Sequence, residues 1–168
     1  MPESQSAAPE EISRERLAEL LNVDLSREYQ AIIAYVVYSQ VLSGAESMDI
    51  AAQLEIHAKQ ELEHALTISR QVDYLGKMPA ASPKPVRTSS DPKEMLRYDL
   101  ENENDTVRNY RDRIRQCEAL GEYAMAEQLS RCGPGARSAQ VEYGNYDYHT
   151  HLHSAAPVAV RAAVMCYP

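Results

Sequence analysis

The chain has 168 residues and a formal charge of −8, which suits a single domain and argues against nucleic acid as its main partner. Its 3 Cys show no metal-binding spacing, so we expect a reducing, cytoplasmic location and no disulfide scaffold. No segment has the length and apolar character of a signal peptide or a membrane span. Residues 1–9, rich in Ser, Ala, Pro and Glu, are predicted to form a disordered tail.

Two long helices are predicted in the first half of the chain. The first runs from about Pro9 to Leu42 and the second from about Glu46 to Leu75, and the short turn between them makes the pair antiparallel. In each helix, residues of a common stripe recur alternately four and three positions apart, which is typical of a face buried against other helices. The stripe of the first helix is Leu21, Leu25, Glu28, Ile32, Tyr35, Ser39 and Leu42. The stripe of the second is Ile50, Leu54, His57, Glu61, His64, Ile68, Gln71 and Leu75.

Three ionisable residues of these stripes are candidates for a metal site. Glu61 and His64 lie one turn apart on the same face, and Glu28 and Glu61 are equally far from the turn, so Glu28 should face Glu61. A buried carboxylate without a partner is costly, and two carboxylates with one imidazole are a ligand set for a divalent metal. A buried polar pair without a metal is the alternative interpretation of Glu61 and His64.

The second half of the chain predicts a crossover and a second, shorter hairpin. Residues 77–90 contain three prolines and are too long for a tight turn, so they should carry the chain to the other end of a bundle. Pro92 then begins a third helix. The buried stripe of this helix is predicted to be Leu96, Leu100, Glu103, Val107, Tyr110, Ile114 and Cys117.

The fourth helix is predicted to run only from Glu122 to Arg131. The sequence Cys132-Gly133-Pro134-Gly135 cannot continue a helix, and no buried stripe is found beyond it. We therefore divide the chain into the tail, a helical bundle over residues 10–131, and an irregular or non-native segment over residues 132–168. A frameshift in the coding sequence would explain the abrupt change.

The order of ligand types on the stripes is one Glu, then Glu-x-x-His, then one Glu. This pattern resembles the ferritin-like di-iron carboxylate proteins, and bacterioferritin most closely. The resemblance implies an all-α, ferritin-like four-helix bundle of antiparallel hairpins joined by a long crossover, here with a truncated or irregular fourth helix. It also implies a homo-oligomeric cage that stores and detoxifies iron by oxidising Fe(II) with O2 or peroxide.

The resemblance also assigns roles to individual residues. Glu28, Glu61 and His64 correspond to ligands of one iron, and Glu61 to the bridge to a second iron that Glu103 would also bind. Tyr35 corresponds to a tyrosine beside the centre that donates an electron or a hydrogen bond, so Glu61 and Tyr35 are the candidate catalytic residues.

Two departures from the family pattern change these expectations. Leu62 stands where bacterioferritin has the Met that binds haem, so haem is not expected. A second Glu-x-x-His would fall near Arg137, where the sequence has neither Glu nor His. The ferroxidase is therefore expected to be impaired. The alternatives are a non-catalytic ferritin-like structural or assembly subunit, and another ferritin-like Fe or Mn di-metal oxidase.

Overall fold

The computed structural model describes residues 12–42 and 48–132, which form four α-helices and, over this part of the chain, no strand. The helices are α1 (Arg14–Val41), α2 (Met48–Tyr74), α3 (Pro92–Ala119) and α4 (Tyr123–Cys132). The predicted all-α four-helix bundle with a long crossover is confirmed. The predicted tail of residues 1–9 and the predicted irregular segment beyond Cys132 lie outside the described residues.

The helix ends follow local capping chemistry. Ser13 caps α1 by accepting a hydrogen bond from the backbone N–H of Arg16 at 3.1 Å, so this helix begins later than the sequence predicted. Asp91 caps α3 in the same way, with Pro92 at its first position as predicted. Gly76 and Gly121, with φ of 78° and 73°, adopt the left-handed conformation that follows the ends of α2 and α3.

Residues 77–90, which we call the strap, run along α1. Four residues of α1 hold the strap through hydrogen bonds to its backbone: Asn22, Ser26, Gln30 and Tyr38. On the strap, the carbonyl oxygens of Met78, Pro85 and Arg87 accept from Asn22, Gln30 and Tyr38. The N–H groups of Ala80 and Lys84 donate to Oδ1 of Asn22 and to the carbonyl oxygen of Ser26. The crossover is therefore fixed to the bundle along its length.

The buried apolar side chains form two clusters. The first contains Leu17, Leu21, Leu25, Ala65, Ile68, Val72, Tyr110, Cys117, Met125, Ala126, Leu129 and Cys132. The second contains Ala34, Tyr35, Tyr38, Leu42, Leu54 and Met95. Of the described residues, those of α4 contribute only to the first cluster. A polar layer separates the two apolar clusters. On each of the first three helices, one Glu lies between the residues that belong to one cluster and those that belong to the other: Glu28 on α1, Glu61 on α2 and Glu103 on α3.

Helix α3 is antiparallel to α1, because Asp24, Glu28 and Tyr35 of α1 meet α3 residues in the reverse of their own order.

The predicted stripe of α3 needs one correction. Met95 and Asp99 are buried where Leu96 and Leu100 were expected, and those two leucines are only half-buried. The reason is that Met95 packs with Tyr35 and Tyr38, which turns this end of α3 by about one position.

A buried ion pair joins α1 to α3. The Nε of Arg113 donates to Oδ2 of Asp24 at 2.7 Å, and the two residues are only 7% and 3% exposed. Arg113 is not on the predicted stripe of α3, where its neighbour Ile114 was expected, yet it is buried. Burial raises the pKa of Asp24, and the Arg113 guanidinium opposes that rise. A buried charge needs such a partner, so replacing one member of this pair is expected to destabilise the protein strongly.

Candidate metal centre

Three of the four predicted metal-binding residues come together in the polar layer. Glu28, Glu61 and His64 each offer a ligand atom, and these atoms all lie within 4.8 Å of one another. The Nδ1 of His64 lies 2.9 Å from Oε2 of Glu61 and 3.7 Å from Oε2 of Glu28. All three residues come from the α1–α2 hairpin. Two long helices that follow one another in the sequence thus build a compact cluster of ligand atoms.

The fourth predicted ligand, Glu103, is buried in the same layer but is not part of this cluster. It accepts a hydrogen bond from the hydroxyl of Tyr35, the other candidate catalytic residue. Burial and the nearby charges of Asp99 and Glu103 raise the pKa of Tyr35, so the phenol remains protonated and acts as a donor. The structure therefore pairs Tyr35 with the α3 carboxylate, whereas His64 contacts the carboxylates of Glu28 and Glu61.

Asp99 is a buried residue of the layer that the sequence analysis missed. It is 3% exposed, and its Oδ2 has no hydrogen-bond partner among the described residues. Burial, together with the charge of Glu103, raises its pKa well above the ordinary value. The spacing of Asp99 and Glu103, four positions apart on one helix, was the signal available in the sequence. It was overlooked because Asp99 is one position away from the predicted stripe.

The pKa values in the cluster show how strongly its groups interact. Burial, reinforced by the neighbouring Glu28 carboxylate, raises the pKa of Glu61 to about 8, and His64 opposes this rise. Burial alone would lower the pKa of His64, but its contacts with Glu28 and Glu61 outweigh that effect and raise the pKa to about 10. Burial and the charge of Glu61 raise the pKa of Glu103 to about 7. Protons therefore balance part of the negative charge at neutral pH.

The cluster has the properties expected of a site for one divalent cation. Carboxylate oxygens and an imidazole nitrogen suit Fe(II), Mn(II) and Zn(II). The Oε2 atom of Glu28 is buried and has no hydrogen-bond partner among the described residues, an arrangement that costs free energy unless something binds there. A cation within reach of His64 and both carboxylates would satisfy it.

A second cation would have fewer ligands among the described residues. Glu103 and Asp99 lie on α3, and the acid of α4, Glu127, is exposed and paired with Arg131. The residues where a second Glu-x-x-His was looked for in the sequence lie outside the described residues. Cys132, the last residue of α4, is buried in the first apolar cluster, and burial and the charge of Glu28 raise the pKa of its thiol to about 12.

Leu62, compared above with the haem-binding Met of bacterioferritin, follows Glu61 in the sequence but points elsewhere. It is 49% exposed on α2, while Glu61 is 8% exposed. Its side chain contains no donor atom for iron.

Within residues 12–42 and 48–132, none of the helices has both the length and the apolar character needed to cross a bilayer.

The fold and the cluster together define a ferritin-like helical bundle with a buried carboxylate–histidine group. Residues 18–132, well over half of the chain, match the ferritin-like domain family, and the chain belongs to that family. None of the proteins of curated function matches the sequence significantly.

Solved structures agree with this assignment. A ferritin-like, diiron-carboxylate protein of Bacillus anthracis is 28% identical with a TM-score of 0.76, and the match covers 80% of this chain and 98% of that one. The bacterioferritin of Rhodobacter capsulatus is 22% identical with a TM-score of 0.71, over 80% and 87% of the two chains. The bacterioferritin of Desulfovibrio desulfuricans is 22% identical with a TM-score of 0.73, over 81% and 80%. The two bacterioferritins show likeness of fold alone.

The raised pKa values predict how the stability of the metal-free protein depends on pH. The pKa of His64 rises from 6.5 to about 10 and that of Glu61 from 4.5 to about 8, so between these values the folded chain holds more protons than the unfolded chain. The stabilisation by the His64 proton is therefore complete below pH 6.5 and is lost as the pH rises to about 10. The stabilisation by the Glu61 proton is complete below pH 4.5 and is lost as the pH rises to about 8. Each extra proton contributes a slope of about 1.4 kcal/mol per pH unit.

We expect the melting temperature of the protein in chelator to fall from mildly acidic to alkaline pH. Glu61→Gln removes one of these titrating groups, so it should make this fall less steep between the ordinary pKa of Glu and about 8, where Glu103 still contributes. Thermal unfolding followed by circular dichroism measures both. A melting temperature that stays level or rises over this range would contradict the assignment of protons to the cluster.

Proposed function

We propose that this protein is a bacterioferritin-like iron-binding protein that binds Fe(II) and oxidises it to Fe(III) for iron storage and detoxification. The observation that carries the proposal is the convergence of Glu28, Glu61 and His64 within 4.8 Å in a buried layer. The diiron-carboxylate protein of Bacillus anthracis and the two bacterioferritins with their dinuclear sites support the choice of iron.

Each residue of the layer has a distinct role in the proposed reaction. Glu28, Glu61 and His64 bind one Fe(II), and Glu61 extends toward a second position beside Glu103. His64 releases its proton when the ion binds, so binding exchanges protons for a cation. Tyr35, as hydrogen-bond donor to Glu103, holds that carboxylate in the layer. Bound iron supplies the electron that O2 or peroxide accepts.

The proposed di-iron centre is incomplete among the described residues, because α4 brings no ligand to the layer. We therefore propose that oxidation is slow and that one ion binds much more tightly than a second. The same observation favours a second candidate function, a ferritin-like structural or assembly subunit that binds a single ion without turnover. A di-metal oxidase using Mn is a variant of the first candidate.

We also propose that the chain forms a homo-oligomer in the cytoplasm and binds neither nucleic acid nor membranes. Large apolar side chains exposed on α1 and α2 support an association of copies, among them Val36 at 52%, Leu62 at 49% and Leu66 at 42% exposure. The net charge of −8 supports the proposal that neither nucleic acid nor an anionic membrane surface is a partner.

Anaerobic titration of the metal-free protein with Fe(II), followed by addition of O2, tests the proposal. We expect one ion per chain with high affinity and a slow rise in the ultraviolet absorbance of Fe(III). Absence of Fe(II) binding would overturn the proposed function. Two tightly bound ions with rapid oxidation would support a ferroxidase but contradict its impairment, and tight binding of one ion with no oxidation would favour the structural candidate.

A further inference from the structure

Tyr110 contacts one of the two oxygens of the Glu28 carboxylate. Its hydroxyl donates to Oε1 at 2.8 Å, and the two residues are 3% and 2% exposed. The other oxygen, Oε2, is the one nearest His64, at 3.7 Å, and it has no hydrogen-bond partner among the described residues. The two oxygens of one carboxylate thus have different surroundings, one bound to a phenol and one directed at the cluster.

A hydrogen bond from a neutral hydroxyl to a carboxylate is short and strong in a buried site. It withdraws Oε1 from the set of atoms that can approach a cation, while Oε2 stays available. Groups that hold a metal-binding side chain in this way affect metal affinity strongly, by about 10- to 100-fold when removed.

We propose that Tyr110 is a positioning residue that restricts Glu28 to binding the cation through Oε2 alone. The inference rests on the proposed function, because it concerns the same cation. Tyr110 differs from Tyr35 in this respect, since Tyr35 donates to Glu103, outside the three-residue cluster. The sequence placed Tyr110 on the buried stripe of α3 but gave no sign of this role, which depends on the antiparallel packing of α1 and α3.

Tyr110→Phe removes only the hydroxyl, and Tyr38→Phe is its matched control. Tyr38 is also a buried tyrosine of the bundle, but its hydroxyl donates to the backbone oxygen of Arg87 in the strap. Both variants lose one hydrogen bond and keep the ring, so a general loss of packing should affect them alike.

Co(II) is the probe, because its visible absorption reports both binding and the number of ligands. We expect Tyr110→Phe to bind Co(II) about 10- to 100-fold more weakly than the wild type. Its absorption should also become weaker, because a freed Oε1 allows Glu28 to bind through both oxygens and raises the coordination number. Tyr38→Phe should match the wild type in affinity and spectrum. Equal affinity and an unchanged spectrum in Tyr110→Phe would overturn the inference and leave the metal site standing.

A double-mutant cycle separates positioning from a general structural effect and is useful even if Tyr110→Phe folds poorly. Glu28→Gln removes the charge that Tyr110 is proposed to hold, so in the double variant position 28 carries no carboxylate that lacks its tyrosine donor. If Tyr110 acts through Glu28, the double variant should bind Co(II) as Glu28→Gln does. A further loss of affinity in the double variant would contradict the role. If the wild type binds no Co(II), the proposed metal site itself fails, which is a different result.

Discussion

Glu61→Ala is expected to abolish binding of a divalent cation, whereas Glu63→Ala, two positions along the same helix, should leave it unchanged. Glu61 is 8% exposed and its carboxylate lies 2.9 Å from the Nδ1 of His64, while Glu63 is on the exposed face of α2. Removing a supporting residue of a metal site typically costs about 10- to 100-fold in affinity. Removing a ligand outright should cost at least about 100-fold by that comparison.

Titration calorimetry with Mn(II) or Co(II) measures this difference, and circular dichroism of each variant checks that the helices remain. The iron-oxidation assay should show the same contrast, since oxidation follows binding. Retention of either property in Glu61→Ala, or its loss in Glu63→Ala, would show that the cation binds elsewhere.

Arg113→Met is expected to destabilise the protein by about 3–5 kcal/mol, because it leaves the buried charge of Asp24 without its partner. The side chains of this pair are 9% and 5% exposed. Arg115→Met is the matched control, because Arg115 pairs with Asp112 at 3.4 Å where the side chains are 77% and 58% exposed. Exposed pairs contribute about 0–1 kcal/mol, so this control should change stability little.

Urea unfolding of the metal-free variants gives the free energies directly. Similar stabilities of Arg113→Met and Arg115→Met would show that Asp24 takes up a proton at no significant cost. Burial already raises the pKa of Asp24, so the loss in Arg113→Met should be smaller at mildly acidic pH than at neutral pH.

The first hairpin was largely predictable because its structure is encoded locally. The four-and-three spacing of α1 and α2 and the short turn between them determine which residues are buried and which face each other. The predicted stripe of α1 matches the observed burial at Leu21, Leu25, Glu28 and Tyr35. The approach of Glu28 to Glu61 and His64 follows from the geometry of an antiparallel pair, and so it could be inferred without a structure.

The contributions of α3 could not be obtained in the same way. The rotation of this helix depends on its packing against Tyr35 and Tyr38, and a turn of about one position buries Met95 and Asp99 in place of two leucines. Arg113 is one polar residue among several on its helix, and its burial becomes evident only when Asp24 is placed opposite. Long-range partners of this kind leave no periodic signal in one sequence.

The strap has a consequence for the alignment of the whole polar layer. Hydrogen bonds join it to α1 from Asn22 to Tyr38, so its length determines the position along α1 at which α3 begins. A slip of α3 by one turn, about 5.4 Å, would carry Tyr110 away from Glu28 and Glu103 away from Tyr35. Most loops tolerate changes in length. In this protein the length of a connection that contributes no residue to the cluster helps to determine which side chains meet in the polar layer.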